Sequence, residues 1–76
     1  MPFPLKNQVI KRVAEMAGSL VADGYTIRIK CIMRPSCFYK LRHKTNGSTI
    51  TIIGTYSVGR ITLCKDGRLK KTEDLT

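Results

Sequence analysis

Tryptophan is absent from this 76-residue chain, histidine occurs once, and only five residues are acidic. Those five are Glu15, Asp23, Asp66, Glu73 and Asp74, and they are dispersed. Asp23 falls at a predicted helix end, Asp66 in a turn and the last two near the end of the chain, so no carboxylate pair is offered for acid–base chemistry. The cysteines, Cys31, Cys37 and Cys64, are three in number and contain no C-x-x-C spacing. That argues against a structural zinc site and against a fully paired secreted framework. The glycines form neither G-x-G-x-x-G nor G-x-x-x-x-G-K, which removes the usual phosphate cradles. No apolar run approaches the ~18 residues of a membrane-spanning helix. The opening Met-Pro-Phe-Pro-Leu-Lys lacks a basic segment followed by a long apolar one, so no signal peptide is expected and the cytoplasm is the default compartment. No cofactor and no metal are implied.

Positive charge is abundant. Fourteen Lys and Arg against five acids give a formal net charge of +9 and a pI near 10.0. An excess of this size on a small domain favours polyanionic partners. Hydrophobic residues make up 42% of the chain, enough for a core, so a folded protein is expected rather than a disordered tail. The length suits one small domain over residues 1–76, of which 71–76 are polar and expected to fray.

Leu5, Val9, Val13, Met16, Ala17, Leu20 and Val21 recur at three- and four-residue steps, with Lys6, Lys11, Arg12, Glu15 and Ser19 between them. This spacing predicts an amphipathic helix over residues 5–22. Asp23-Gly24 closes it, with Gly24 as a left-handed cap. Gly18, inside the pattern, is expected to let the helix approach a sheet closely.

Beyond Gly24 the period becomes two. Tyr25, Ile27, Ile29, Cys31 and Met33 alternate with Thr26, Arg28 and Lys30, and Arg34-Pro35-Ser36 interrupts them. Cys37, Tyr39, Leu41 and His43 then alternate with Phe38, Lys40, Arg42 and Lys44. Asn46-Gly47 predicts a two-residue hairpin turn. That turn sets Leu41 opposite Ile52 and Tyr39 opposite Gly54, leaving one apolar face and one basic, Thr-rich face. Ser57-Val58-Gly59 is the next turn, and the strand after it places Leu63 beside Ile52. Lys65-Asp66-Gly67 predicts a three-residue hairpin before a short edge strand. The fold class is therefore α+β: one N-terminal amphipathic helix packed on a four- to five-stranded antiparallel meander sheet.

The helix covers one sheet face and nothing is predicted to cover the other. That open face is expected to carry Arg28, Lys30, Phe38, Lys40, Arg42, Lys44 and Arg60, with threonines between them. Cations neutralise phosphates, threonine hydroxyls donate to them, and Phe38 can stack on a base. The leading expectation is a non-enzymatic nucleic-acid-binding module for DNA or RNA. The alternative is a protein–protein or homo-oligomeric assembly module, such as a homodimer through the sheet face or edge. A small basic ribonuclease using Tyr39 and His43 is the minor alternative, since a lone histidine at a core rim is more often structural. The helix needs its apolar stripe for the sheet, so membrane binding is not expected. Cys31 and Cys37 are expected on the core side, where a first hairpin leaves their pairing open, and Cys64 on the open side.

Overall fold

A computed structural model describes residues 5–75 of the chain. The periodicity at the N-terminus yields α1 (Lys6–Ala22). It has no side-chain cap and no acid in its first turn, so capping contributes little, and its apolar face holds it in place. Val9, Val13, Met16 and Ala17 are buried, while Leu5, Ile10 and Leu20 pack beside them. The helix stops where Asp23 and Gly24 donate back to the carbonyls of its last turn, with Gly24 at φ +103. Gly18 is exposed with no neighbour within reach of a Cβ, so it provides no close approach.

Five strands follow: β1 (Tyr25–Ile32), β2 (Ser36–His43), β3 (Thr49–Thr55), β4 (Arg60–Lys65) and β5 (Arg68–Asp74). They form one sheet in the order β1-β2-β3-β4-β5, every neighbouring pair antiparallel. This is the α+β meander that short turns require. The sheet contributes Tyr25, Cys37, Tyr39, Leu41, Ile50, Ile52, Tyr56 and Ile61 to a single core under α1. Burial pushes the Tyr56 hydroxyl and the Cys37 thiol above their ordinary pKa values. Leu63 sits opposite Ile52, as the turn at residues 57–59 implies.

The β2–β3 register differs from the two-residue-turn expectation. Leu41 faces Ile50, Tyr39 faces Ile52 and Cys37 faces Gly54, a slip of two residues. Side-chain hydrogen bonding in the loop accounts for it. His43 closes against Ser48 across a four-residue loop, Lys44–Gly47. Inside that loop His43 Nδ1 accepts from the backbone N–H groups of Thr45 and Asn46, and Asn46 Oδ1 accepts from Ser48 N–H. A two-residue type I′ turn needs positive φ at both central residues. Gly47 meets this and Asn46 does not. Because the slip is even, the side chains of β2 and β3 keep their predicted faces. The type I′ turn occurs at Asp66-Gly67, where both φ values are positive and Lys65 pairs directly with Arg68. That hairpin is thus two residues long, not three.

Residues 71–74 are not frayed. They complete β5, and Leu75 packs on the core. Charge fixes this segment. Glu73 accepts two hydrogen bonds from the Arg12 guanidinium, at 2.7 and 3.1 Å, and Asp74 accepts from Arg60 at 2.9 Å. The last predicted residue of the tail, Thr76, lies outside the described residues.

The Arg12 hydrogen bonds hold the Glu73 carboxyl below its ordinary pKa, against a smaller opposing effect of burial. A carboxylate with a depressed folded pKa stabilises the fold above its unfolded pKa, and that contribution disappears as pH falls through the folded value. Thermal melts of the protein and of Glu73→Gln should therefore differ at about pH 6, with the variant a few degrees lower, and converge toward about pH 2. A difference independent of pH would mean that the pair contributes no charge-dependent stability.

Candidate nucleic-acid interface

The face opposite α1 is built from cross-strand rows. Thr26, Arg42 and Thr49 form one row at the β2–β3 loop end. Ile29, Lys40, Thr51, Cys64 and Leu69 form the next, followed by Cys31, Phe38, Ile53, Thr62 and Thr72. Ser36, Thr55, Arg60 and Asp74 form the far row.

A β-bulge in β1 governs what this face displays. Ile27 pairs with Leu41 but Ile29 pairs with Lys40, so Arg28 is the extra residue. A bulge reverses the facing of everything beyond it. Lys30 is therefore opposite Tyr39 on the helix side, its Nζ 5.8 Å from the Tyr39 ring centroid. Its expected place on the open face is corrected. Ile29 and Cys31 take the opposite change and join the open face. Cys31 and Cys37 thus point to opposite faces, and all three cysteines are free.

Three of the fourteen Lys and Arg are held in ion pairs, and four of the others cluster at one end of the open face. On the helix side Arg12 pairs with Glu73 and Glu15, and Lys71 pairs with Glu73. On the open face Arg60 pairs with Asp74 at 2.9 Å, so its charge is largely neutralised and it stands apart from the other predicted contacts. Asp66 is occupied by accepting from Thr49 N–H. Among the described residues no ion pair involves Arg28, Lys40, Arg42 or Lys44. These four surround two adjoining shallow notches that share Arg28, Arg42 and Gly47. Thr26, His43, Lys44 and Thr45 complete one notch; Ile29, Lys40 and Thr49 complete the other. Lys44 reaches the site from the loop, not from β2 as the alternation implies, and its N–H donates to the Gly24 carbonyl. Phe38 is half-buried between Cys31 and Ile53 in the neighbouring row.

The structure therefore brings together Arg28, Lys40, Arg42 and Lys44, with Phe38 nearby, and separates Lys30 and Arg60 from them. Ile29 and Cys31 enter the face unforeseen, while Thr26 lies on it as the alternation implies. Nothing in Tyr25–Met33 marks the bulge, because its apolar alternation continues without glycine or proline. The neutralising role of Asp74 was equally hidden, since pairing between β4 and β5 is a long-range property.

His43 has a structural setting. Its Nδ1 accepts from the loop, its Nε2 lies 3.2 Å from the Asp23 carbonyl oxygen, and its ring meets Tyr25 edge-on at 4.8 Å. It joins the end of α1 to the β2–β3 loop. Among the described residues no group of three or more His, Cys, Asp or Glu could hold a metal ion, and no described helix is long and apolar enough to cross a membrane. Comparison with protein-family models, curated proteins and solved structures gives no match for this chain.

Proposed function

We propose that the open sheet face binds nucleic acid through its phosphates. The observation that carries this reading is the clustering of four cations outside any ion pair around two adjoining notches. The carboxylates on β5 neutralise Arg12, Arg60 and Lys71, while Arg28, Lys40, Arg42 and Lys44 surround one pair of notches without a carboxylate partner. Unpaired cations on a rigid sheet are positioned for phosphate oxygens, and Thr26 and Thr49 supply hydroxyl donors among them.

Binding of labelled DNA and RNA at several salt concentrations tests the reading. Four phosphate contacts predict that log K falls against log salt with a slope of about −3 to −4. No binding at low salt, or a slope near zero, would overturn it.

A second reading, assembly through β1, is favoured by the exposed Ile27 and Ile32 on that edge strand and Met33 just beyond it. Pairing two copies there brings like charges together and so competes poorly at low salt. Light scattering at high protein concentration decides it: a dimer that persists at low salt supports assembly.

A further inference from the structure

We infer that the nucleic acid taken by this face is single-stranded, with bases lying on the row Cys31–Phe38–Ile53. The inference rests on the proposed function and adds the strandedness of the ligand.

A surface made only for phosphates would be polar wherever it meets water. This one is not. Ile29 is 46% exposed, Ile53 39% and Leu69 64%, all on the open face, and Phe38 lies half-buried among them. An exposed apolar patch bordered by polar residues is characteristic of an interaction site. The row Cys31–Phe38–Ile53 lies beside the row that carries Lys40: Phe38 is two residues from Lys40 on β2, about 7 Å along the strand. That is the reach from a phosphate to the base of the same nucleotide. A strand with a phosphate on Lys40 thus lays the base of that nucleotide over Phe38 and Ile53, while Arg42 and Arg28 take phosphates farther from that row.

Charge excludes the symmetrical alternative. A duplex presents two phosphate tracks flanking a groove, and its base faces are hidden in the stack. Of the two rows that flank the apolar one, only that of Lys40 carries a cation outside an ion pair. On the other side the cation, Arg60, is paired with Asp74. Among the described residues no helix lies on this face to enter a groove. The Phe38 ring can meet only an unstacked base.

The chain contains no tryptophan, so Phe38→Trp introduces a single reporter. Titrating this variant with oligo-dT, oligo-U and a blunt DNA duplex of equal length should quench its fluorescence with both single strands and not with the duplex. Anisotropy should show Phe38→Ala losing roughly tenfold in single-strand affinity, with duplex affinity unchanged. Circular dichroism confirms that each variant is folded, and Phe38→Leu replaces Phe38→Ala if the latter is not. Equal quenching by single strands and duplex, or equal affinities unmoved by the Phe38 changes, overturns the inference while leaving phosphate binding intact. Absence of any binding at low salt removes the proposed function and the inference with it.

Discussion

Gly54→Val should abolish the cooperative thermal transition of this protein. Gly54 lies mid-strand in β3, opposite Cys37 on one side and Ile61 on the other, where α1 comes nearest to the sheet. A Cβ there would fall onto Val9 Cγ1 and lie 3.0 Å from Val13 Cγ2 and 3.4 Å from Cys37 Sγ. All three neighbours are fully buried, so none has space into which to withdraw. The backbone at Gly54 is not left-handed; the cost arises from space alone. Overpacking of a tight core costs about 1–3 kcal/mol and more where nothing yields. If α1 moves away instead, Val9 and Val13 each forfeit about 1.5–3 kcal/mol of burial. A 76-residue domain has a total stability of roughly 4–11 kcal/mol. Either response consumes most of it. Gly54→Ala should melt well below the parent protein. Gly18→Ala, on the exposed outer side of α1, should raise stability by up to about 1 kcal/mol. Circular dichroism melts of the three variants check this, and a Gly54→Val protein that melts like the parent would show that the helix is not seated on β3.

The double charge reversal Lys40→Glu, Arg42→Glu should weaken nucleic-acid binding by a hundredfold or more while leaving the melting temperature nearly unchanged. Neither residue has an ion-pair partner to lose, and both are exposed. Lys40 sits between Ile29 and Thr51, and Arg42 between Thr26 and Thr49, so the new carboxylates meet no carboxylate across the strands. Charge-assisted hydrogen bonds contribute about 1.5–3 kcal/mol each, and loss of two corresponds to at least two orders of magnitude in affinity. The salt slope should become shallower by about 1.4 to 1.8 as two phosphate contacts vanish. Lys11→Glu, Lys70→Glu changes the net charge equally at exposed positions away from the notches, and should lose far less. Equal weakening in the two double variants would reduce binding to a general effect of net charge and would remove the site.

Much of the fold was legible because it depends on short-range periodicity. The three- and four-residue spacing of Val9, Val13 and Met16 specifies a helix with one apolar face, and Asp23-Gly24 supplies its stop. Alternation in β2 and β3 specifies strands with unlike faces. Turn residues mark where the chain reverses, although turn length was misjudged twice. At Asn46-Gly47 the hydrogen bonds accepted by His43 stabilise a wider loop, and at Asp66-Gly67 both residues accept positive φ, which tightens the turn. The wider loop does not disturb the faces of β2 and β3, which slip by an even number of residues, whereas β5 bulges at Lys70 just beyond its tight turn.

The candidate site was less legible, because its composition depends on interactions between distant residues. Phe38, Lys40 and Arg42 reach the open face through the alternation of β2 alone. Lys30 does not, because β1 bulges at Arg28 when it pairs with β2, and pairing geometry is not encoded in the period of one strand. Arg60 reaches the face but is neutralised there by Asp74, fourteen residues along the chain. Local sequence determined one helix, a run of strands, a core side and an excess of positive charge. Tertiary structure alone decided which cations stay unpaired and which apolar side chains join them, because bulges and ion pairs arise only when separate strands are placed side by side.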